Sequence, residues 1–196
     1  MSAQTMLTIP RVVARGQVVD IEMKYLYEAN VELDMPLDVG STPRGNRRIV
    51  SVKGGTFEGP KLRGDVLPGG ADWLLIRPDG TAEVESRAVG RTDDGALIYA
   101  NYRGLFRASP EVMQRIARRE AVDPSEYYFR VTASYETASE KYGWLNRIVA
   151  LAFGTFTQEG VSLMVYDVLS SAGQVVRLPK SSEASEVPDH AFLATT

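Results

Sequence analysis

The sequence predicts a mainly β chain that closes into one antiparallel barrel, with one or two short helices inserted and an interior pocket for a small organic molecule. Three observations predict it. Short runs rich in Val, Ile, Tyr and Thr recur between turn signals along most of the 196 residues, a pattern of barrels and sandwiches and not of alternating βαβ units. The stretch from Gly54 to Gly70 holds six glycines and two prolines, too permissive for a helix and too bent for a flat strand. Only one segment carries a full set of helix signals.

Taken in order, residues 17–33 mix apolar and polar positions without a clean period, but their Val, Ile and Tyr favour an extended strand over a helix. Residues 34–48 carry Pro36, Gly40, Pro43, Gly45 and Asn46 and read as a surface loop leading into a strand at 48–53. The glycine-rich stretch reads as strands with bulges and tight bends. Strands follow at 73–77, 81–91 and 96–104; the last two are joined at Asp93-Asp94-Gly95, and an Asp-Gly pair between strand-forming runs is a strong hairpin signal. Ser109-Pro110-Glu111 opens a helix with a cap, a proline at the first position and an acid in the first turn, and Val112, Met113, Ile116 and Ala117 continue it before Asp123-Pro124. Residues 127–136 form a strand, 140–146 a short helical turn, and 147–156 with 160–169 a last antiparallel pair. One barrel domain over 1–180 is expected, followed by a polar, flexible tail over 181–196.

Composition removes several classes of function. The net charge is −3, and 22 Lys and Arg lie scattered among 25 Asp and Glu, so no basic face is set aside for nucleic acid. With no cysteine, thiolate metal sites and cysteine nucleophiles have no residues to use, and the single histidine, His190, falls in the tail, away from any triad or metal site. No phosphate-cradling glycine spacing precedes a helix, and no loop shows the dense Asp and Asn spacing of a calcium site, so neither a nucleotide cofactor nor a metal is expected. Without a basic leader or a long apolar run, the expectation is a cytoplasmic protein off the membrane.

The order Gly54-Gly55, Gly59-Pro60, Pro68-Gly69-Gly70-Ala71-Asp72-Trp73, Arg87, Thr92-Asp93-Asp94-Gly95 and Tyr102-Arg103-Gly104 resembles the DUF3237 family. Tyr128-Phe129-Arg130-Val131-Thr132, Tyr135-Glu136-Thr137, Tyr142-Gly143-Trp144-Leu145-Asn146 and Val165-Tyr166-Asp167-Val168 resemble its second half, so the likeness runs over about 49–169. The resemblance implies a lipocalin-like closed barrel, and proteins similar to it occur in the degradation and biosynthesis of aromatic and polyketide-like compounds. Glu85 stands where the family pattern tends to have Asp, and residues 118–124 are extra, placed as a lid or an oligomer contact.

If Asp94-Gly95 is a two-residue turn, Asp93 faces Ala96 and Arg87 lies opposite Tyr102. Glu85, Arg87 and Tyr102 then share one strand face. On the lumen face they form a catalytic group in which Arg87 binds a carboxylate or stabilises an enolate, Tyr102 moves a proton with its pKa lowered by the cation, and Glu85 orients Arg87. On the outer face Glu85 and Arg87 are an ordinary ion pair. The family resemblance favours the lumen. Asp72 is either a general base or the cap of a turn. Arg130, between Phe129 and Val131, either meets a ligand anion or snorkels to water. Trp73 and Tyr135 are ligand-binding candidates, Tyr135 alternatively a core aromatic. Trp144 and Asn146 either cover the barrel mouth and grip a ligand or plug the barrel and cap a helix. The resulting expectation is a cofactor-free lyase, decarboxylase or isomerase working by proton transfer on an aromatic or polyketide-like substrate. The alternative is a non-catalytic carrier, and a homo-oligomer is compatible with either.

Overall fold

Alternation decides the sheet. In Tyr127–Glu136 every second side chain, Tyr127, Phe129, Val131, Ala133 and Tyr135, is buried while its neighbours other than Arg130 are exposed, the signature of a strand with one face on a core and one in water. The computed structural model describes the backbone of residues 7–14, 17–170 and 176–177 and the side chains of 21–169. The tail expected at 181–196, with His190, lies outside the described residues.

The strands in chain order are β1 (Leu7–Ala14), β2 (Gln17–Leu33), β3 (Leu37–Thr42), β4 (Gly45–Glu58), β5 (Arg63–Ile76), β6 (Ala82–Thr92), β7 (Leu97–Ala108), β8 (Tyr127–Glu136), β9 (Ala150–Phe156), β10 (Gly160–Ser170) and β11 (Val176–Arg177). From β4 to β10 each strand pairs antiparallel with the next in sequence, and β2 pairs with both β10 and β4. This closes an eight-stranded barrel of β2 and β4 to β10, as the sequence led one to expect. β1 and β11 add to β2, and β3 adds to β4. Residues 34–48, read from their prolines and glycines as a loop, thus contain the short strand β3, set by pairing with β4.

The glycine-rich stretch bends as expected. Register shifts fall between Ser51 and Gly55 on β4 and between Leu67 and Ala71 on β5, and Gly69 takes a φ of 103°, open to glycine at little cost. Helix α1 (Pro110–Ala117) is capped by Ser109, whose hydroxyl accepts from the Val112 N–H, and it lays Val112, Met113 and Ile116 against the core. At that end Phe106, Tyr127, Phe129 and Phe156 form an aromatic cluster, Phe129 stacking on Phe156 at 5.5 Å. The opposite end is plugged by a 3-10 turn, Gly143–Arg147, that inserts Leu145 with no exposed surface. Among the described residues no helix is long and apolar enough to cross a membrane.

Candidate functional site

Small side chains make the space inside. Along β6 the inward positions are Ala82, Val84, Ser86, Ala88 and Gly90, and β7 contributes Ala100. Large residues would fill an eight-stranded barrel, whereas these leave an inner cavity of about 70 Å³. A second cavity of about 210 Å³ lies toward α1, walled by Leu74, Ile76, Phe106, Met113 and Ile116, with Arg48 and Arg119 on its lining. Leu33, Asp72, Val84, Phe129 and Val161 line both, so the two chambers adjoin, together offering space on the scale of a small organic ligand.

Asp72 stands at that junction. It projects from β5 into the lumen beside Val50 of β4 and Ser86 of β6, its register partners. It lines both chambers, whose walls are mostly apolar side chains. Burial pushes its carboxyl from the ordinary 3.8 up to about 6, while a hydrogen bond from Ser86 pulls the other way. A carboxyl that titrates near neutrality inside an apolar cavity can both take and return a proton.

Deeper in the inner chamber three phenols meet. The Tyr27 hydroxyl lies 2.8 Å from that of Tyr102 and 2.7 Å from that of Tyr135, all buried. Burial raises the pKa of Tyr102, and burial together with the neighbouring phenols raises Tyr27 and Tyr135 well above 10.0. These groups are hydrogen-bond donors at neutral pH. Ser86 pairs with Asp72 on one side and with Tyr102 on the other, so Asp72, Ser86 and Tyr102 form one row across β5, β6 and β7.

The expected grouping of Arg87, Glu85 and Tyr102 is corrected. Ser86, not Arg87, pairs with Tyr102, and Arg87 pairs with Asn101. The loop is the cause. The Thr92 N–H donates to the Ala96 carbonyl at 2.9 Å, so three residues, not two, make the turn, and one residue of slip exchanges the faces of a strand. Arg87 and Glu85 therefore lie outside, where Glu85 accepts from Arg87 at 2.7 Å and from Arg103 at 3.3 Å. With no cation beside it, Tyr102 is shifted upward, opposite to the expectation.

The other candidates separate likewise. Tyr135 lines the inner chamber and Asp72 both chambers. Trp73 faces out with Ile49, its ring under the Arg87 guanidinium at 5.4 Å. Arg130 also faces out, 4.4 Å over Phe153 and 5.2 Å over Tyr128, so its aromatic neighbours hold it on the outer surface, and it lines neither chamber. Trp144 packs on the core beneath Lys61 and lines neither chamber. Asn146 clamps Thr137 by two backbone hydrogen bonds, each 2.9 Å, and likewise lines neither chamber. The extra residues 118–124 begin at the mouth of the outer chamber, where Arg119 donates to the Gln158 carbonyl at 2.8 Å.

Two site residues escaped the sequence reading, Tyr27 and Ser86. For Tyr27 the signal is present: Tyr27, Ala29, Val31 and Leu33 alternate with Glu28, Asn30 and Glu32. The period breaks just before, because Val165 pairs with Tyr27 and Tyr166 with Tyr25, leaving Leu26 as a bulge.

Comparison with known proteins follows the barrel closely. The family described as "Protein of unknown function (DUF3237)" matches residues 21–168. A UPF0311 protein of Clostridium acetobutylicum is 33% identical over 150 residues, covering 75% of this chain and 95% of the relative. The crystal structure of a beta-barrel like protein from Acinetobacter baumannii superposes with a TM-score of 0.67 at 37% identity, covering 76% of this chain and 96% of that one. An enzyme from Penicillium herquei superposes with a TM-score of 0.59 at 21% identity, covering 81% of this chain and 100% of that one, a likeness of fold alone.

Proposed function

The chain belongs to the DUF3237 family, and we propose that this barrel is a cofactor-independent enzyme of the lyase, decarboxylase or isomerase type, in which Asp72 takes a proton from a small apolar substrate and returns it. One observation carries the reading: the Asp72 carboxyl, pushed up to about 6 by burial, at the junction of two largely apolar chambers. A carrier of apolar molecules gains nothing from desolvating a carboxyl, whereas an acid-base enzyme needs a group poised close to its working pH. The fold as such admits catalysis, since one distant neighbour is described as an enzyme.

Deuterium exchange tests it. The protein is incubated in D2O with a panel of small apolar phenols, ketones and aromatic acids, and deuterium at carbon is read by mass spectrometry. Exchange is expected to rise with pH through about 6, as Asp72 loses its proton to become the base. Asp72→Asn should slow it by about a hundredfold or more, and Arg87→Ala, on the outer wall, should leave it unchanged. A wild-type protein that binds panel members and returns them unexchanged behaves as a carrier and ends the enzyme reading.

A further inference from the structure

Three strands of the barrel, β2, β7 and β8, each bring a hydroxyl to one point in the inner chamber. Each phenol owns one O–H proton, and the two bonds joining Tyr27 to Tyr102 and to Tyr135 use two of the three. The third side, Tyr102 to Tyr135, is a longer contact than these two bonds, so the remaining proton is the one most readily turned to an incoming acceptor. A buried donor held only by a long contact gains when a ligand atom accepts from it at ordinary distance. The three oxygens line the same cavity as Asp72, with Tyr102 two strands from it, so about 10 Å separates the two backbones.

We infer that the hydroxyls of Tyr27, Tyr102 and Tyr135 bind the carbonyl oxygen of an enolisable, otherwise apolar substrate whose acidic carbon faces Asp72. This assignment rests on the proton-transfer reading and names its substrate class. Chemistry narrows the ligand. The wall of the inner chamber has no Lys, Arg or His, so a carboxylate or phosphate would lie there uncompensated beside Asp72. A pure hydrocarbon offers the surplus proton nothing. An ether or alcohol oxygen accepts it, but only a carbonyl oxygen gains charge when a proton leaves the neighbouring carbon, and catalysis requires an interaction that strengthens in the transition state.

The step balances without a further reactant. A carboxylate oxygen of Asp72 takes the proton, the C–H pair becomes the new carbon-carbon double bond, and the carbonyl π pair moves to oxygen. The resulting oxyanion accepts the surplus O–H in a shorter, charge-assisted bond, and the linked phenols polarise one another to spread the charge. Asp72 then returns the proton at another carbon of the conjugated system, giving an isomer.

2-Naphthol is the probe, because its anion is flat, carries its charge on one oxygen and absorbs at longer wavelength than the neutral form. Asp72→Asn supplies the host, its neutral amide standing in for the protonated aspartate. This variant is expected to bind the probe as naphtholate at a pH where the free probe is neutral. Adding Tyr102→Phe or Tyr135→Phe should weaken binding about ten- to a hundredfold and return the bound probe to its neutral spectrum. Binding of neutral naphthol alone, absence of binding, or affinity and spectrum untouched by either phenylalanine overturns the assignment. Should a phenylalanine variant fail to fold, the spectrum in Asp72→Asn alone decides. Because exchange is read in the wild type and naphtholate binding in the variant, the two readings fail separately: naphtholate bound without wild-type exchange removes the enzyme, and exchange without bound naphtholate removes the oxygen site.

Discussion

Asp72 holds its proton up to about pH 6 in the folded chain, while an ordinary aspartate lets it go near 3.8. Between those limits the folded state binds more protons than the unfolded state, so this group's contribution to stability is greatest below about pH 4 and declines as pH rises, levelling off above about 6. The whole interval corresponds to about 3 kcal/mol. Asp72→Asn should therefore raise stability at pH 7.5 by up to about 3 kcal/mol, and by little at pH 4. Urea unfolding of both proteins at the two pH values measures it, and equal gains at both would mean that the carboxyl is not desolvated. The same substitution is expected to slow exchange by about a hundredfold or more, so stability and chemistry move in opposite directions at one side chain.

At the scale of elements, the β6–β7 hairpin shows what one loop residue controls. Asp93-Asp94-Gly95 is a three-residue turn in which the Gly95 N–H donates back to the Thr92 carbonyl at 2.9 Å and Gly95 itself adopts a φ of 90°. Nothing lies within 4 Å of a Cβ built on Gly95, so Gly95→Ala tests the backbone alone. It should cost about 1–2 kcal/mol, read as a lower urea midpoint with an unchanged slope; Gly95→Asn should cost less, since asparagine tolerates this region better. That hairpin also marks how far the sequence could be read. The strand at 127–136, the Ser109 cap, the bulged glycine stretch and most hairpins were legible, because each rests on a local period or turn residue. Register was not, because it hangs on whether the turn counts two residues or three, and the Asp-Gly pair serves both. A second signal was available in β6 itself: Ala82, Val84, Ser86, Ala88 and Gly90 alternate with Glu83, Glu85, Arg87 and Arg91, a pattern that puts the charges in water. The phenol cluster was beyond reach, since Tyr27 lies 75 positions from Tyr102 and 108 from Tyr135. Only barrel closure brings them together.

For the molecule as a whole, closure depends on β2, which bridges the first and last strands of the meander. Glu32 pairs with both Gly54 and Gly160, and Val31 with both Gly55 and Val161. Removing the chain from Gly160 onward would leave β2 and β9 as open edges with half of their backbone groups unpaired. Such a truncation is expected to be aggregated or molten, with lost near-ultraviolet dichroism; a soluble, sharply melting product would show that seven strands suffice. The seam has a temporal meaning as well. During synthesis the hairpins from β4 to β9 can each form as they leave the ribosome, while β2 waits with one flank unmatched until the strand beginning at Gly160 has emerged, so the nascent chain must be kept from premature association for most of its translation.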